Sequence, residues 1–145
     1  MSLPQHIEIR TNLHGIDESM LGGFFEGWAD PPSPSTLLEI LRRASYIAVA
    51  VDLQANSIVG FVNCIGDGIL SAYIPLLEVR PNYRGMGVGS SLVRALLGSM
   101  PAYYMIDVCC DTALAGFYTT LGFRPTTGMI LRQYQSQSGL PSENR

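Results

Sequence analysis

The first half of the chain contains four runs with the apolar patterning of β-strands. Residues 7–11 alternate apolar and polar positions, whereas residues 46–53, 58–65 and 73–79 are almost continuously apolar. Short turns separate the last three runs, so we expect them to pair antiparallel as a meander. Pro75 interrupts the fourth run. Because proline cannot donate a hydrogen bond to a neighbouring strand, it predicts a bulge or a local parting of the sheet between residues 75 and 78.

Helical periodicity or capping residues mark four further segments. We expect helices at residues 17–28, 36–43, 88–97 and 113–121. Three glycines weaken the first of them, and a proline-rich connector, residues 30–35, separates it from the second. Thr36 and Glu39 give the second helix a capping-box pattern. Asp111 is a good N-cap for the last helix, which ends at Gly122.

The C-terminal part predicts a change in sheet topology. The apolar run at 103–110 follows a strand and a helix, and strand–helix–strand units make parallel crossovers, so we expect this run to pair parallel with the strand that contains Pro75. Two short runs, 123–126 and 129–134, predict a closing hairpin. Together these elements predict an α/β (α+β) fold with a mixed sheet of about seven strands and about four helices.

Composition narrows the class of protein. The length of 145 residues suits one domain with a buried core, at residues 1–134, followed by a polar C-terminal tail at 135–145. Apolar residues make up 47% and charged residues 14%, which indicates a globular chain. A net charge of −3 argues against nucleic-acid and anionic-membrane partners. No apolar run is long enough to span a bilayer, and the N-terminus lacks a signal-peptide pattern. The odd number of cysteines, without C-x-x-C spacing, predicts buried thiols of a cytoplasmic protein at Cys64, Cys109 and Cys110.

A glycine-rich loop opens the third predicted helix. Gly85, Gly87 and Gly89 lie on alternate positions, where the absence of a Cβ lets the backbone approach a ligand closely. The first helical turn offers unpaired amides and the positive end of the helix dipole, and Arg84 adds a mobile positive charge. The loop therefore predicts a phosphate or pyrophosphate site. The alternative is a turn that only lets the helix pack tightly on the strand. A dinucleotide oxidoreductase is disfavoured because Ser90 replaces the third glycine of that motif, and a P-loop is excluded because no Gly-Lys-Ser/Thr follows.

Two motifs occur in order along the chain, each on its own predicted element. The first, Arg84-Gly-Met-Gly-Val-Gly89, matches the pattern R/Q-x-x-G-x-G/A, and the second, Phe117-Tyr-Thr-Thr-Leu-Gly-Phe123, matches an FY…GF pattern. Together with the element order over residues 6–134, they resemble the GNAT superfamily of acetyl-CoA-dependent N-acetyltransferases. The resemblance implies a single GNAT-like domain whose parallel strand pair is splayed at the cofactor site. It implies acetyl transfer from acetyl-CoA to a primary amine, by direct attack in a ternary complex and without a metal. A non-catalytic sensor that binds acyl-CoA or a nucleotide is the alternative.

The resemblance also assigns roles to residues around the two motifs. The pyrophosphate of CoA would lie on the loop amides and the pantetheine arm would pair with the strand before the loop. The implied cofactor-binding residues are Leu77, Val79, Arg84, Gly85, Met86, Gly87, Val88, Gly89, Ser90 and Phe117. A backbone N–H in the same strand would hold the thioester oxygen. Tyr118 would protonate the departing thiolate, which a phenol with a pKa near 10 can do at neutral pH.

The general base and the acceptor amine stay open. Glu78 is the only carboxylate in the splayed strand and is the first candidate for the base, although an ion pair with Arg80 or Arg84 is equally compatible with its position. Asp107 or a chain of waters could serve instead. The segments expected to line the pocket are mostly apolar and aromatic, which favours a small or partly apolar amine over a polycation. A protein or peptide N-terminus and an aryl or alkyl amine both stay open. A homodimer through exposed strand edges is also open.

Overall fold

The computed structural model describes residues 2–144, and six strands and three α-helices lie within them. The strands are β1 (Ile7–Arg10), β2 (Tyr46–Asp52), β3 (Ser57–Gly66), β4 (Ser71–Ile74), β5 (Leu77–Val79) and β6 (Met105–Val108). The helices are α1 (Pro34–Arg43), α2 (Val88–Ser99) and α3 (Ala115–Thr120). Short 3-10 turns connect or follow several of these elements. The predicted mixed α/β domain is confirmed, with one strand and one helix fewer than expected.

One mixed sheet contains all six strands. Its order is β1-β2-β3-β4-β6, and β5 pairs with β3 beyond the end of β4. All neighbours are antiparallel except β4 and β6, which run parallel with Tyr73 opposite Asp107. The predicted meander and the predicted parallel pair are therefore both present.

The predicted parting at Pro75 lies between β4 and β5. Both strands pair with β3, which has Ile65 opposite Tyr73 in β4 and Val62 opposite Leu77 in β5. Between these two pairings the buried Asn63 contacts Leu76 twice. Its N–H donates to the Leu76 carbonyl at 3.1 Å, and its side-chain Oδ1 accepts from the Leu76 N–H at 3.0 Å. Since β6 pairs only with β4, the sheet opens along β5.

Each face of the central strands carries its own apolar cluster. On one face α2 packs on the sheet through Val88, Leu92 and Leu96. On the other face the cluster combines α1 with the segment before it: Met20, Leu21, Phe25, Leu37, Leu38 and Leu41. Because β2 and β3 are covered on both faces, their side chains read as nearly continuous apolar runs and not as strict alternation.

The N-terminal helices differ from the prediction. A helix over residues 17–28 is wrong, since only Glu18–Met20 forms a 3-10 turn. The rest is a loop in which Gly23, Phe25 and Gly27 have φ values of +85°, +64° and +82°, and such values are incompatible with a right-handed helix. The second helix begins earlier than predicted. Its N-cap is Ser33, whose side chain accepts from Thr36 N–H at 3.1 Å.

The C-terminal part departs furthest from the prediction. The expected helix at 113–121 is a 3-10 turn, Thr112–Leu114, followed by the six residues of α3, and Asp111 makes no side-chain capping bond. The closing hairpin is wrong, because residues 123–133 form no regular strand. Within residues 2–144, no strand therefore covers the outer edge of β6. Consequently Cys109 and Cys110 are exposed, contrary to the prediction, whereas Cys64 is buried as expected.

The segment after α3 nevertheless contacts the rest of the domain. A Cβ built on Gly128 would lie 3.9 Å from the Cys109 sulfur, and one on Gly139 would lie 3.2 Å from Thr36 Cγ2. The Asp30 N–H donates to the Gln137 side chain at 2.8 Å. The chain thus runs from the β6 edge to the start of α1. Within residues 2–144, no helix combines the length and apolar character required to cross a membrane.

Two glycines give a matched test of the packing between β3 and α2. A Cβ at Gly60 would lie 3.0 Å from Leu92 Cδ1 and 3.3 Å from the backbone oxygen of Glu78. We expect Gly60→Ala to lower the free energy of unfolding by about 1–3 kcal/mol through overpacking. Gly98 in α2 has nothing within 4 Å of its Cβ position, so Gly98→Ala is expected to raise the same quantity by about 0.5–1 kcal/mol. Urea unfolding of the two variants measures both changes, and a neutral Gly60→Ala would contradict the close contact.

Candidate active site

The free edge of β5 is the first component of the site. The Arg80 N–H donates to the Val59 carbonyl at 2.8 Å, and in antiparallel pairs the hydrogen-bonded residues alternate. The backbone groups of Glu78 and Arg80 therefore point toward β3. Those of Leu77 and Val79 point to the opposite edge, with which no strand in residues 2–144 pairs. This edge can accept an extended ligand as an additional strand.

The glycine loop follows this edge directly. Gly85 and Gly87 have φ values of +78° and +83°, and no atom lies within 4 Å of a Cβ built on Gly85. Gly87 is the N-cap of α2 and provides no capping side chain, so the amides of the first helical turn keep their hydrogen-bonding capacity. Arg84 Nε donates to the Val79 carbonyl at 2.9 Å and ties the loop to the β5 edge. The loop therefore presents donors and positive potential beside the free edge.

The second motif packs against the first. A Cβ on Gly89 would lie 3.5 Å from the Phe117 ring and 3.9 Å from Val79 Cγ2, so α2, α3 and β5 meet at this glycine. The structure thus brings together the residues predicted to bind the cofactor. Val88 is fully buried, and Leu77, Val79 and Met86 pack against the core. For the β5 residues, therefore, it is the backbone that faces the open edge.

Tyr118 lies in an aromatic cluster behind this junction. Only 6% of the residue is exposed, and its ring centroid lies 4.9 Å from that of Phe117 and 5.5 Å from that of Phe123. Burial, with a smaller contribution from the Cys110 thiol, raises the pKa of Tyr118 to about 12. No hydrogen bond joins its hydroxyl to another residue of the described chain. The phenol is therefore protonated over the whole physiological range and has a donor available to a ligand.

Glu78 binds the backbone of the loop at residues 20–27 and does not pair with an arginine. Its two carboxylate oxygens accept from the Phe25 N–H at 2.8 and 2.9 Å, and one of them lies 3.4 Å from the Glu26 nitrogen. Neither Arg80 nor Arg84 pairs with it among the described residues, and Arg84 instead contacts Glu26 at 3.2 Å. The ion-pair alternative for Glu78 is therefore wrong. Its role as a base stays a prediction, and both of its oxygens already accept hydrogen bonds.

Arg80 fixes the same loop from its other end. Its guanidinium donates to the carbonyls of Met20, at 3.5 Å, and Gly22, and lies 5.1 Å from the centroid of the Phe24 ring. Burial lowers the pKa of Arg80, and its Nε has no partner in the described chain. Sequence reasoning missed this role, because nothing in the pattern connects a residue after β5 with a glycine-rich segment nearly sixty positions earlier.

Asp107, the second candidate for the base, lies in a cleft on the sheet face opposite α2. The cleft has a volume of about 550 Å³ and lies over β4 and β6. Asp107 faces it beside Tyr73, its partner across the parallel pair. Another cleft, of about 350 Å³, lies between the end of α1 and β2 and contains none of the predicted site residues. Among residues 2–144 no three His, Cys, Asp or Glu side chains are grouped so that they could hold a metal ion.

Comparison with known proteins supports the family resemblance that the two motifs indicated. Residues 13–123 match the Acetyltransferase (GNAT) family. No curated protein matches the chain. Among solved structures, a provisionally named acetyltransferase from Deinococcus radiodurans is 43% identical, with a TM-score of 0.92 over 95% of this chain and 96% of that one. A GNAT-family acetyltransferase from Streptococcus pneumoniae is 28% identical, with a TM-score of 0.70 over 88% and 98%.

More distant structures share the fold alone. Glucosamine-6-phosphate N-acetyltransferase from Arabidopsis thaliana is 15% identical, with a TM-score of 0.63 over 88% of this chain and 97% of that one. The family match spans most of the chain and includes the free β5 edge, the glycine loop and the Phe117–Tyr118 pair. Acyl transfer from acetyl-CoA is the activity of this family. The chain belongs to the GNAT acetyltransferase family.

Proposed function

We propose that this protein transfers an acetyl group from acetyl-CoA to a primary amine, by direct attack of the amine in a ternary complex. The observation that carries the proposal is the continuity of three features. The unpaired edge of Leu77 and Val79 leads into a loop with an uncapped helix N-terminus, and Phe117 packs on that helix at Gly89. An extended thioester with a pyrophosphate at one end fits such a path.

The residues of this path would hold the two ends of acetyl-CoA differently. The pantetheine amides would pair with the backbone of Leu77 and with the Val79 N–H, as one strand pairs with another, since the Val79 carbonyl already accepts from Arg84. The amides from Gly87 to Ser90 and the side chain of Arg84 would receive the pyrophosphate. The bound thioester supplies an activated acyl carbon, and a backbone N–H on the free β5 edge would stabilise the charge that develops on its oxygen.

Tyr118 is the proposed donor to the departing sulfur. Its pKa of about 12 lies well above that of a thiol, which is ordinarily about 8.5. Complete proton transfer to a free thiolate would therefore be uphill. The phenol suits a different task, which is to donate a hydrogen bond to the sulfur as negative charge develops there and to pass its proton on only as the amine gives one up.

The overall proton balance follows from this assignment. The acceptor ammonium releases one proton before attack, and the neutral nitrogen then forms the C–N bond while the C–S bond breaks. The nitrogen loses a second proton as the amide forms, and the sulfur gains one through Tyr118, so the net release is one proton. Glu78 shares the single Phe25 N–H between its two oxygens and keeps further lone pairs, but protonation of the carboxylate would weaken its hold on that loop. A water in the open cleft is the simpler acceptor for the first proton.

The alternative is a sensor that binds acyl-CoA without turnover. Thermal-shift measurements with acetyl-CoA, longer acyl-CoAs and NAD test the ligand, and a free-thiol assay over a panel of amines tests turnover. The chain contains arginine but no lysine, so acetylation of its own lysine side chains cannot add to the thiol signal. Stabilisation by acetyl-CoA without thiol release from any amine would favour the sensor. Stabilisation by NAD alone would exclude both functions.

The loop glycines predict a specific loss of CoA binding. A Cβ in the left-handed region costs about 1–2 kcal/mol, and relaxation of the loop would misplace its amides. We expect Gly85→Ala and Gly87→Ala each to weaken CoA binding about tenfold, as measured by calorimetry. Gly15→Ala is the matched control, since Gly15 also has a positive φ, +74°, and open space at its Cβ position, but lies outside the site. Equal CoA affinities in all three variants would contradict this assignment of the loop.

Removal of the Tyr118 hydroxyl is expected to slow turnover selectively. We expect Tyr118→Phe to lower kcat about 100-fold, the usual range for one lost general acid or hydrogen-bond donor, with little change in the acetyl-CoA dissociation constant. Tyr104→Phe removes the same group from a side chain that is 84% exposed and serves as the control. An unchanged kcat in Tyr118→Phe would remove Tyr118 from the mechanism.

The pKa of Tyr118 also predicts the shape of the pH profile. Because the raised pKa of about 12 keeps the active, protonated phenol present below that value, kcat/KM is expected to rise with deprotonation of the amine and then to level off. The contradicting result is a fall in kcat/KM between about pH 9 and pH 10, near the ordinary tyrosine pKa. Such a fall would be assigned to Tyr118 if the Tyr118→Phe variant lost it and the Tyr104→Phe variant retained it.

A further inference from the structure

The cleft over β4 and β6 does not belong to the proposed CoA path along β5 and the glycine loop. Its walls include Ile65, Asp67, Ser71, Tyr73, Met105 and Asp107. Side chains alternate along a strand. Since Ile74 and Val108 pack toward α2, Tyr73, Met105 and Asp107 project from the opposite face. The α1 cluster covers β2 and β3 on that face and leaves this part of it open.

The apolar part of the cleft is accessible to solvent. Exposure is 55% for Ile65, 39% for Met105 and 38% for Tyr73. Surface apolar residues are ordinary when they are scattered singly, but a contiguous apolar group that lines a concavity indicates a binding site. This group suits an alkyl chain or a ring of modest size.

The charge of the cleft is negative, and only one of its two carboxylates is without hydrogen bonds to the described chain. Its lining contains two carboxylates and no basic residue. Asp67 is already engaged, because it accepts from the N–H groups of Ile69, Leu70 and Ser71 at 2.8–3.2 Å, which lowers its pKa to about 2. Asp107 is exposed, and no hydrogen bond or ion pair joins it to another described residue.

Two neighbours of Tyr73 complete the electrostatic surroundings. Burial raises the pKa of the Tyr73 phenol, the Cys109 thiol adds to this effect, and Arg132 partly opposes it. Tyr73 is therefore neutral at working pH and presents a ring that can attract a cation. The positive charge of Arg132 approaches from the C-terminal segment and does not belong to the cleft lining.

We infer that this cleft binds the acceptor, and that the acceptor is a primary monoamine with an apolar body. Its ammonium would lie at Asp107 and its carbon skeleton against Tyr73, Met105 and Ile65. A single free carboxylate matches a single cationic group, whereas a polyamine or an aminoglycoside would require several. The inference rests on the proposed acetyl transfer, and it makes Asp107 a determinant of substrate specificity.

The position of the cleft relative to β5 supports the inference. Tyr73 and Asp107 form the next-to-last pair of the parallel β4–β6 ladder, which ends at Ile74 and Val108. Beyond Ile74 and Val108 the sheet parts and the free edge of β5 begins. An amine at the inner end of the cleft thus lies beside the point where the thioester end of acetyl-CoA would arrive. After the ammonium loses its proton to water in the open cleft, the neutral nitrogen can attack the acyl carbon.

Binding and turnover of 2-phenylethylamine, hexylamine, spermidine and β-alanine test this assignment. Calorimetry with CoA present measures amine affinity without turnover, and the free-thiol assay measures kcat/KM. We expect the two apolar monoamines to bind best, and Asp107→Asn to weaken their binding about tenfold or more while the affinity for acetyl-CoA is retained. Glu18→Gln removes another exposed carboxylate, away from the cleft, and should leave both quantities unchanged.

A second pair of variants tests the apolar wall. Tyr73→Phe should retain affinity for the monoamines because the ring remains, and Tyr73→Ala should lose most of it. Preference for spermidine or β-alanine, or monoamine affinity unaffected by Asp107→Asn, would overturn the inference. If monoamines bind in an Asp107-dependent manner without any thiol release, the cleft assignment stands and the proposed acetyl transfer fails, so the two outcomes are distinguishable.

Discussion

The exchange of hydrogen bonds between Asn63 and Leu76 determines where the sheet opens. Pro75 has no N–H to donate. The N–H of the next residue, Leu76, donates to the side chain of Asn63. Buried polar groups must be paired, so this side-chain bond makes the irregular backbone tolerable inside the sheet. Because the strand restarts as β5 beyond the break, it continues along β3 while β6 diverges. The free edge exists because of that divergence, and the cleft lies over the last paired residues before it.

The three residues of β5 and the one after it serve two surfaces at once. Leu77 and Val79 send their side chains under α2 and leave their backbone at the open edge. Glu78 and Arg80 point to the other face and hold the loop before α1 by its backbone groups. The same short segment therefore provides the edge for a ligand and holds the loop before α1 on the opposite face of the sheet. The alternation of a β-strand is sufficient to separate the two tasks.

Local chemistry explains which parts of this arrangement can be predicted from sequence. Pro75, the loop glycines and the strand patterns act within a few residues, so the parting, the meander and the helix after the loop were all predictable. The loop at 20–27 was predicted as a helix because its strongest contacts, from Glu78 and Arg80, come from more than fifty positions away. The hairpin predicted from Phe123 onward failed for a related reason: two short runs around a glycine form a hairpin only where a partner edge receives them, and within residues 2–144 no strand pairs with that segment.

The unpaired edge of β5 has a thermodynamic consequence for the whole domain. A bound chain that pairs with Leu77 and Val79 becomes a member of the sheet, so ligand binding and folding are linked equilibria. A ligand at 100 times its dissociation constant adds about 2.7 kcal/mol to the free energy of unfolding, a large share of the 5–15 kcal/mol that is usual for a domain. In a cell the lifetime of this protein would then follow the supply of its own acyl donor. The amide protons along β5 would be the first to report it, through slower exchange with solvent.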